Sequence, residues 1–115
     1  MYRYDTKVSQ NNIQMQYHLR VYDNSHYMDE SEAYDHGEYE TYEEAEIAAR
    51  GIVNEFLHFN WRRGMPSDKL IELYCLHGED PVILPVKYPE GKGFSARDYV
   101  NEVAGIICNN LENQL

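Results

Sequence analysis

From Ile13 to Tyr22 the chain alternates without a break. Ile13, Met15, Tyr17, Leu19 and Val21 fall on one side, and Gln14, Gln16, His18, Arg20 and Tyr22 on the other. A period of two over ten residues is the pattern of a strand with one buried face. A strand needs a partner strand and something apolar to cover it. The rest of the sequence must therefore supply a sheet and a layer to pack on it.

That layer is legible downstream. Thr41, followed by Glu44 three positions on, forms the capping-box pattern, in which the hydroxyl and the carboxylate satisfy each other's backbone N–H groups. Glu43, Glu44 and Glu46 also complement the positive end of the helix dipole. Ala45, Ala48, Ala49, Ile52, Val53, Phe56 and Phe59 then recur at helical spacing, predicting a helix that runs to about Asn60 and stops before Gly64 and Pro66. Ser67 is read as the cap of a second helix with Leu70, Ile71 and Tyr74 inward, ended by Gly78. Ser95 is read as the cap of a last helix, with Ala96, Tyr99, Val100, Val103, Ile106, Ile107 and Leu111 as its stripe.

Two further strands are expected. Glu38–Glu40 is short and antiparallel to the first. Val82–Val86 follows a turn at Asp80–Pro81, and Pro85 marks it as short or at an edge. The order is β-β-α-α-β-α. The fold class is α+β, a small, mainly antiparallel three-stranded sheet backed by three helices on one face. Residues 1–12 are polar and aperiodic and are read as a loose N-terminal arm, and 13–115 as a single α+β domain.

Charge divides the chain sharply. Val21 to Ala49 holds ten acidic residues and no Lys or Arg, while the remainder carries ten of each sign, so this stretch accounts for the formal charge of −10. Nucleic acid and anionic membrane are excluded as partners, because Arg62–Arg63 is too small a basic patch to hold phosphates. A protein partner with a basic surface fits instead. Met1–Thr6 lacks the apolar stretch of a signal peptide, and no apolar run is long enough to span a bilayer. Cys75 and Cys108 sit among apolar neighbours in helical segments and are read as buried free thiols of a reducing compartment. The chain is expected to be cytoplasmic and to need no cofactor. The sequence leaves homo-oligomerisation open.

Catalytic patterns are weak. Cys75 and His77 are two apart on a helix and point in different directions. Ser67 and Ser95 read as caps, and Gly91–Lys92–Gly93 is a loop without a phosphate-binding sequence behind it. The crowded carboxylates read as a solvated face rather than an acid–base pair.

Function is expected in the polar run from Asp23 to His36. The leading reading is a non-catalytic binding or accessory domain whose contact surface comprises Asp23, His26, Tyr27, Met28, Asp29, Glu30, Tyr34 and His36. Tyr and Met are enriched at interface centres, and the acids supply a charged rim. The alternative is a divalent-metal protein, with hydrolysis the first activity to assay. Its ligands are His26, Asp29, Glu30 and His36, with Asp23 nearby, a mixture of imidazole and carboxylate that suits zinc or another first-row ion.

The run Val21-Tyr-Asp-Asn-Ser-His-Tyr-Met-Asp-Glu-Ser-Glu32 resembles a family of small uncharacterised bacterial proteins. So do Gly37 with Tyr39, Thr41 with Glu43–Ala45, Ile52–Val53, Gly78–Pro81, and Phe94–Ala96 with Tyr99. The resemblance covers roughly residues 15–107. It implies that the Asp23–Glu32 loop and the Gly78–Pro81 turn belong to a family pattern, and it carries over no catalytic residue.

Overall fold

The computed structural model describes residues 15–26, 29–86 and 93–115. The expected arm, Ile13 and Gln14, Tyr27 and Met28, and most of the Gly91 loop lie outside the described residues. Strand β1 (Tyr17–Asp23) is followed by two short 3₁₀ turns, Asn24–His26 and Glu30–Glu32. Then come β2 (Tyr34–Tyr39), helix α1 (Tyr42–Asn60), helix α2 (Ser67–His77), β3 (Glu79–Leu84) and helix α3 (Ala96–Asn113). The order β-β-α-α-β-α and the three-stranded antiparallel sheet match the sequence reading.

β1 is the central strand, with β2 on one side and β3 on the other. Leu19 and Val21 lie opposite Ile83 and Pro81. Their inner face packs on Ala45, Ala49 and Ile52 of α1. The strand has the phase that the alternation predicts but is shorter at its start. Met15 is 55% exposed, since β1 begins only at Tyr17 and the pairing with β3 starts at His18. Beyond the ladder, alternation has nothing to bury against.

A second core lies where the three helices meet, built from Val53, Leu57, Leu70, Tyr74, Val100, Ile107 and Cys108. It corrects both helical stripes. Phe59 is 78% exposed and Ile106 58%, while Leu57 and Ala104 are fully buried. In α3 the buried residues Ala96, Val100, Ala104, Ile107 and Cys108 keep strict three- and four-residue steps, so position on the helix decides burial and size does not. Cys108 is buried and Cys75 half-buried, both as free thiols.

The caps divide in the same way. The Thr41 hydroxyl accepts from Glu44 N (3.1 Å) and the Glu44 carboxylate accepts from Thr41 N (3.3 Å), so the capping box is formed. Ser95 Oγ accepts from Asp98 N. Ser67, however, is the first residue of α2 and caps nothing; Pro66 precedes the helix, as suits a residue with no N–H to leave unpaired.

Three loop assignments change. β2 begins at Tyr34, so the polar run is partly strand and the connection between strands is shorter than expected. Its start is hidden in the sequence because Tyr34, Asp35 and His36 are all exposed. Asp80 and Pro81 lie within β3 rather than in a turn, and β3 ends at Leu84 before Pro85 on an edge strand. Gly78 ends α2 with an extended backbone (φ −78°, ψ 179°), not a left-handed one. Glycine is required there for space, since a Cβ would stand 2.4 Å from Tyr74 Cδ1. Among the described residues, no helix is long and apolar enough to cross a membrane.

Candidate functional site: an acidic platform and a neighbouring cleft

One local device, used twice, shapes the segment after β1. Asp23 Oδ1 accepts from Ser25 N (2.9 Å) and Ser25 Oγ (2.7 Å). Six residues later, Asp29 Oδ1 accepts from Ser31 N (3.0 Å) and Ser31 Oγ (2.6 Å). An Asp that bonds the backbone two residues on closes a tight turn, and each pair nucleates one of the 3₁₀ turns. The seryl hydroxyls and N–H groups hold both carboxyls below the usual Asp range. Backbone bonds from Asp29 N to His26 O and from Ala33 N to Glu30 O complete the segment.

Asn24 fastens it to the body of the protein. Its backbone N–H donates to Gly78 O and its side-chain amide to Tyr74 O, each at 2.9 Å. Arg20, midway along β1, reaches the segment from the other side. Its guanidinium donates to Glu30 Oε1 and to Asp35 Oδ1, both at 3.1 Å, and these partners raise its pKa, the Asp35 bond most. One cation therefore ties the second turn to β2.

His26 Nδ1 lies 3.2 Å from Asp23 Oδ2 and 4.0 Å from Glu32 Oε1. The hydrogen bond with Asp23, and then the surrounding acids, raise the His26 pKa above its ordinary value. Ligating atoms of Asp23, His26 and Glu32 all fall within 4.8 Å of one another. Of the four metal ligands expected from sequence, this group contains His26 alone, joined by the nearby Asp23. Asp29 is engaged by Ser31, and Glu30 by Arg20. His36 stands where β2 bulges between Asp35 and Gly37, its ring 6.4 Å from that of Tyr34. It lines a shallow depression of ≈ 300 Å³ with His18, Asp35 and Glu38. Glu32 was missed as a ligand because only the two-turn geometry brings it back to His26.

Tyr34 donates its hydroxyl to Glu79 Oε2 (3.1 Å). Burial, reinforced by Glu79 and Glu55, pushes its pKa up to about 12. It thus anchors β2 to the start of β3 across the sheet and is only partly available as a contact residue. Tyr27 and Met28 lie outside the described residues.

Behind the platform is a cleft of ≈ 520 Å³ lined by Asn24, Tyr74, Cys75, Asp80 and Arg97. Tyr74 is 2% exposed, and its hydroxyl donates to Glu79 O at 2.7 Å. Burial raises the Asp80 pKa, and the Arg97 charge partly offsets this. The five residues come from the first 3₁₀ turn, α2, β3 and the first turn of α3. Nothing in their local sequence signals that they meet.

No protein-family model, curated protein or solved structure matches the chain.

Proposed function

We propose that this chain is a small non-catalytic binding domain whose acidic segment, residues 23–36, docks on a basic surface of a partner protein. One observation carries the reading. Asp23, Asp29, Glu30, Glu32 and Asp35 sit on a single hydrogen-bonded segment, and the only guanidinium that engages them among the described residues is Arg20. Side chains fixed by bonds to nearby backbone lose little freedom on binding, which favours recognition by a rigid charged surface. Attraction of this kind steers encounter and weakens as salt rises.

The test is fluorescence anisotropy with a labelled Arg/Lys-rich peptide and the full chain. Binding should fall as NaCl rises, and Glu32→Lys should weaken it strongly. Glu102→Lys, an exposed charge reversal on α3, should weaken it far less. Equal losses from the platform and the α3 reversals would show that net charge alone attracts the peptide, and would remove the proposal.

A second reading rests on the Asp23–His26–Glu32 group, whose ligand atoms lie within 4.8 Å. One imidazole and two carboxylates suit a zinc-like ion with remaining positions filled by water. The ion would have to displace a proton from His26, so affinity should rise with pH. Titrating chelator-treated protein with Zn²⁺ should give a thermal shift that His26→Ala and Glu32→Gln abolish and His36→Ala leaves intact. No saturable shift would remove this reading.

A further inference from the structure

Asp80 and Arg97 share the cleft behind the platform, yet they do not close on one another. Among the described residues neither side chain makes a hydrogen bond or an ion pair. Asp80 is half-buried and Arg97 exposed, so the carboxylate is partly withdrawn from water while the guanidinium keeps access to it. Burying a charge without a partner costs stability, and the ordinary remedy is an ion pair with the nearest cation. Here a cation, Arg97, lines the same cleft.

The rest of the wall is fixed and cannot swing in to fill the gap. Tyr74 is held by its hydroxyl on Glu79 O and by its ring, set edge-on to Phe56 with centroids 5.7 Å apart. Asn24 is held by Tyr74 O and Gly78 O. Arg97 stands in the first turn of α3, capped by Ser95, so the helix N-terminus adds positive potential on the Arg97 side.

A lone anion placed by Arg97 would meet the Asp80 carboxylate. A lone cation placed by Asp80 would meet the guanidinium. A molecule that carries both charges, oriented with its ammonium toward Asp80 and its carboxylate toward Arg97, satisfies both groups at once. At ≈ 520 Å³ the cleft is within the size range of small-molecule sites and accommodates such a ligand with water. We infer that the cleft between α2, β3 and α3 is a binding site for a small zwitterion of the amino-acid class, held at one end by Asp80 and at the other by Arg97.

The cleft shares Asn24 with the platform, but neither Asp80 nor Arg97 belongs to residues 23–36, so the outcome does not depend on whether a basic protein docks there. The experiment is a titration of ¹⁵N-labelled full chain, followed by amide shifts. The probes are the free amino acids and γ-aminobutyrate, with acetate and methylamine as single-charge controls. At least one zwitterion should move the amides of Asn24, Cys75, Asp80 and Arg97 saturably. Either single ion should bind about tenfold more weakly or worse, and Asp80→Asn and Arg97→Gln should each cost about tenfold or more in affinity.

Thermal melting separates this from a structural role. Asp80→Asn removes a charge that nothing neutralises by contact, so its melting temperature should equal or exceed that of the parent. Failure of every zwitterion to bind at these residues would overturn the inference. So would acetate binding as tightly as the best zwitterion, unchanged affinity in Asp80→Asn, or a lowered melting temperature in Asp80→Asn.

Discussion

Gly78→Ala and Gly51→Ala are the same chemical change with opposite expected signs. At Gly78 an added Cβ would lie 2.4 Å from Tyr74 Cδ1, 2.7 Å from Tyr74 Cε1 and 2.8 Å from the Tyr74 carbonyl oxygen. The ring has nowhere to go. It is buried, its face is set by Phe56, and its hydroxyl is bonded to Glu79 O. Nor can the carbonyl withdraw, since it accepts from Gly78 N at 2.8 Å and from the Asn24 amide at 2.9 Å. Forcing an extra methyl into a filled site costs about 1–3 kcal/mol. Displacing Tyr74 also loosens the hydroxyl bond and the Asn24 bond, each worth about 1 kcal/mol. The expected total is ~3–5 kcal/mol, against a whole-domain stability of about 5–15 kcal/mol. A fall in melting temperature of ~10 °C or more follows. Gly51 is an exposed position inside α1 with nothing within 4 Å of its added Cβ. There alanine should gain about 0.5–1 kcal/mol, because glycine loses more backbone freedom on entering a helix. Differential scanning calorimetry on the two variants decides the matter. In a Tyr74→Ala background the cost of Gly78→Ala should shrink, as two of its three clashes disappear. A Gly78→Ala protein melting within about 2 °C of the parent, or a Gly51→Ala protein melting below it, would refute the packing argument.

Four further outcomes are expected. Thr41→Ala should cost about 1 kcal/mol in urea unfolding by opening the capping box, without changing peptide binding at the platform. Leu19→Asp should unfold the domain by far-UV circular dichroism, whereas Gln16→Asp, exposed and ahead of β1, should be mild; similar effects would sink the assigned face. In an NMR titration His26 should lose its proton above the ordinary histidine value of 6.5, and Asp23→Asn should bring that midpoint down. A raised folded-state pKa means that His26 adds stability fully below pH 6.5 and that this is lost as pH rises through the folded value. Asn24→Ala should speed amide exchange at Ser25, Ser31 and Glu32 well before it lowers global stability, since it removes one of the two bonds that fasten the segment but leaves Tyr74 O bonded to Gly78 N.

The features that sequence reveals here are those set by near neighbours. The capping box, the Ser95 cap and the phase of Leu19 and Val21 each follow from residues within a few positions of one another. What escaped depends on distance. Phe59 has the right spacing and hydrophobicity for the α1 stripe, yet it projects past the edge of what the helix covers, and Leu57 takes the buried place. β2 could not be recognised from hydrophobic alternation, because an edge strand leaves Tyr34, Asp35 and His36 exposed. The polar run stands out by composition, and its two Asp-x-Ser turns are legible once the pattern is sought. Its pairing partners are not. Arg20 joins Glu30 and Asp35 across ten and fifteen residues, and the cleft assembles positions 24, 74, 75, 80 and 97.

The acids of the platform serve two ends that are in tension. Bringing Asp23, Asp29, Glu30, Glu32 and Asp35 together raises mutual repulsion, which favours an open segment. Some of the same carboxylates also close the turns and hold Arg20, and they do so most strongly when ionised, as acceptors for Ser25, Ser31 and Arg20. Solvent exposure resolves the conflict. Water and salt weaken repulsion between charges several ångströms apart, whereas a hydrogen bond at 2.6–3.1 Å is a contact that screening barely touches. Lowered Asp23 and Asp29 pKa values mark the balance: each adds stability above the unfolded value of 3.8, and that contribution is lost as pH falls through the folded value. Shape and charge of the platform are therefore coupled to one ionisation state, and acid that removes the charge also weakens the bonds that hold it in place.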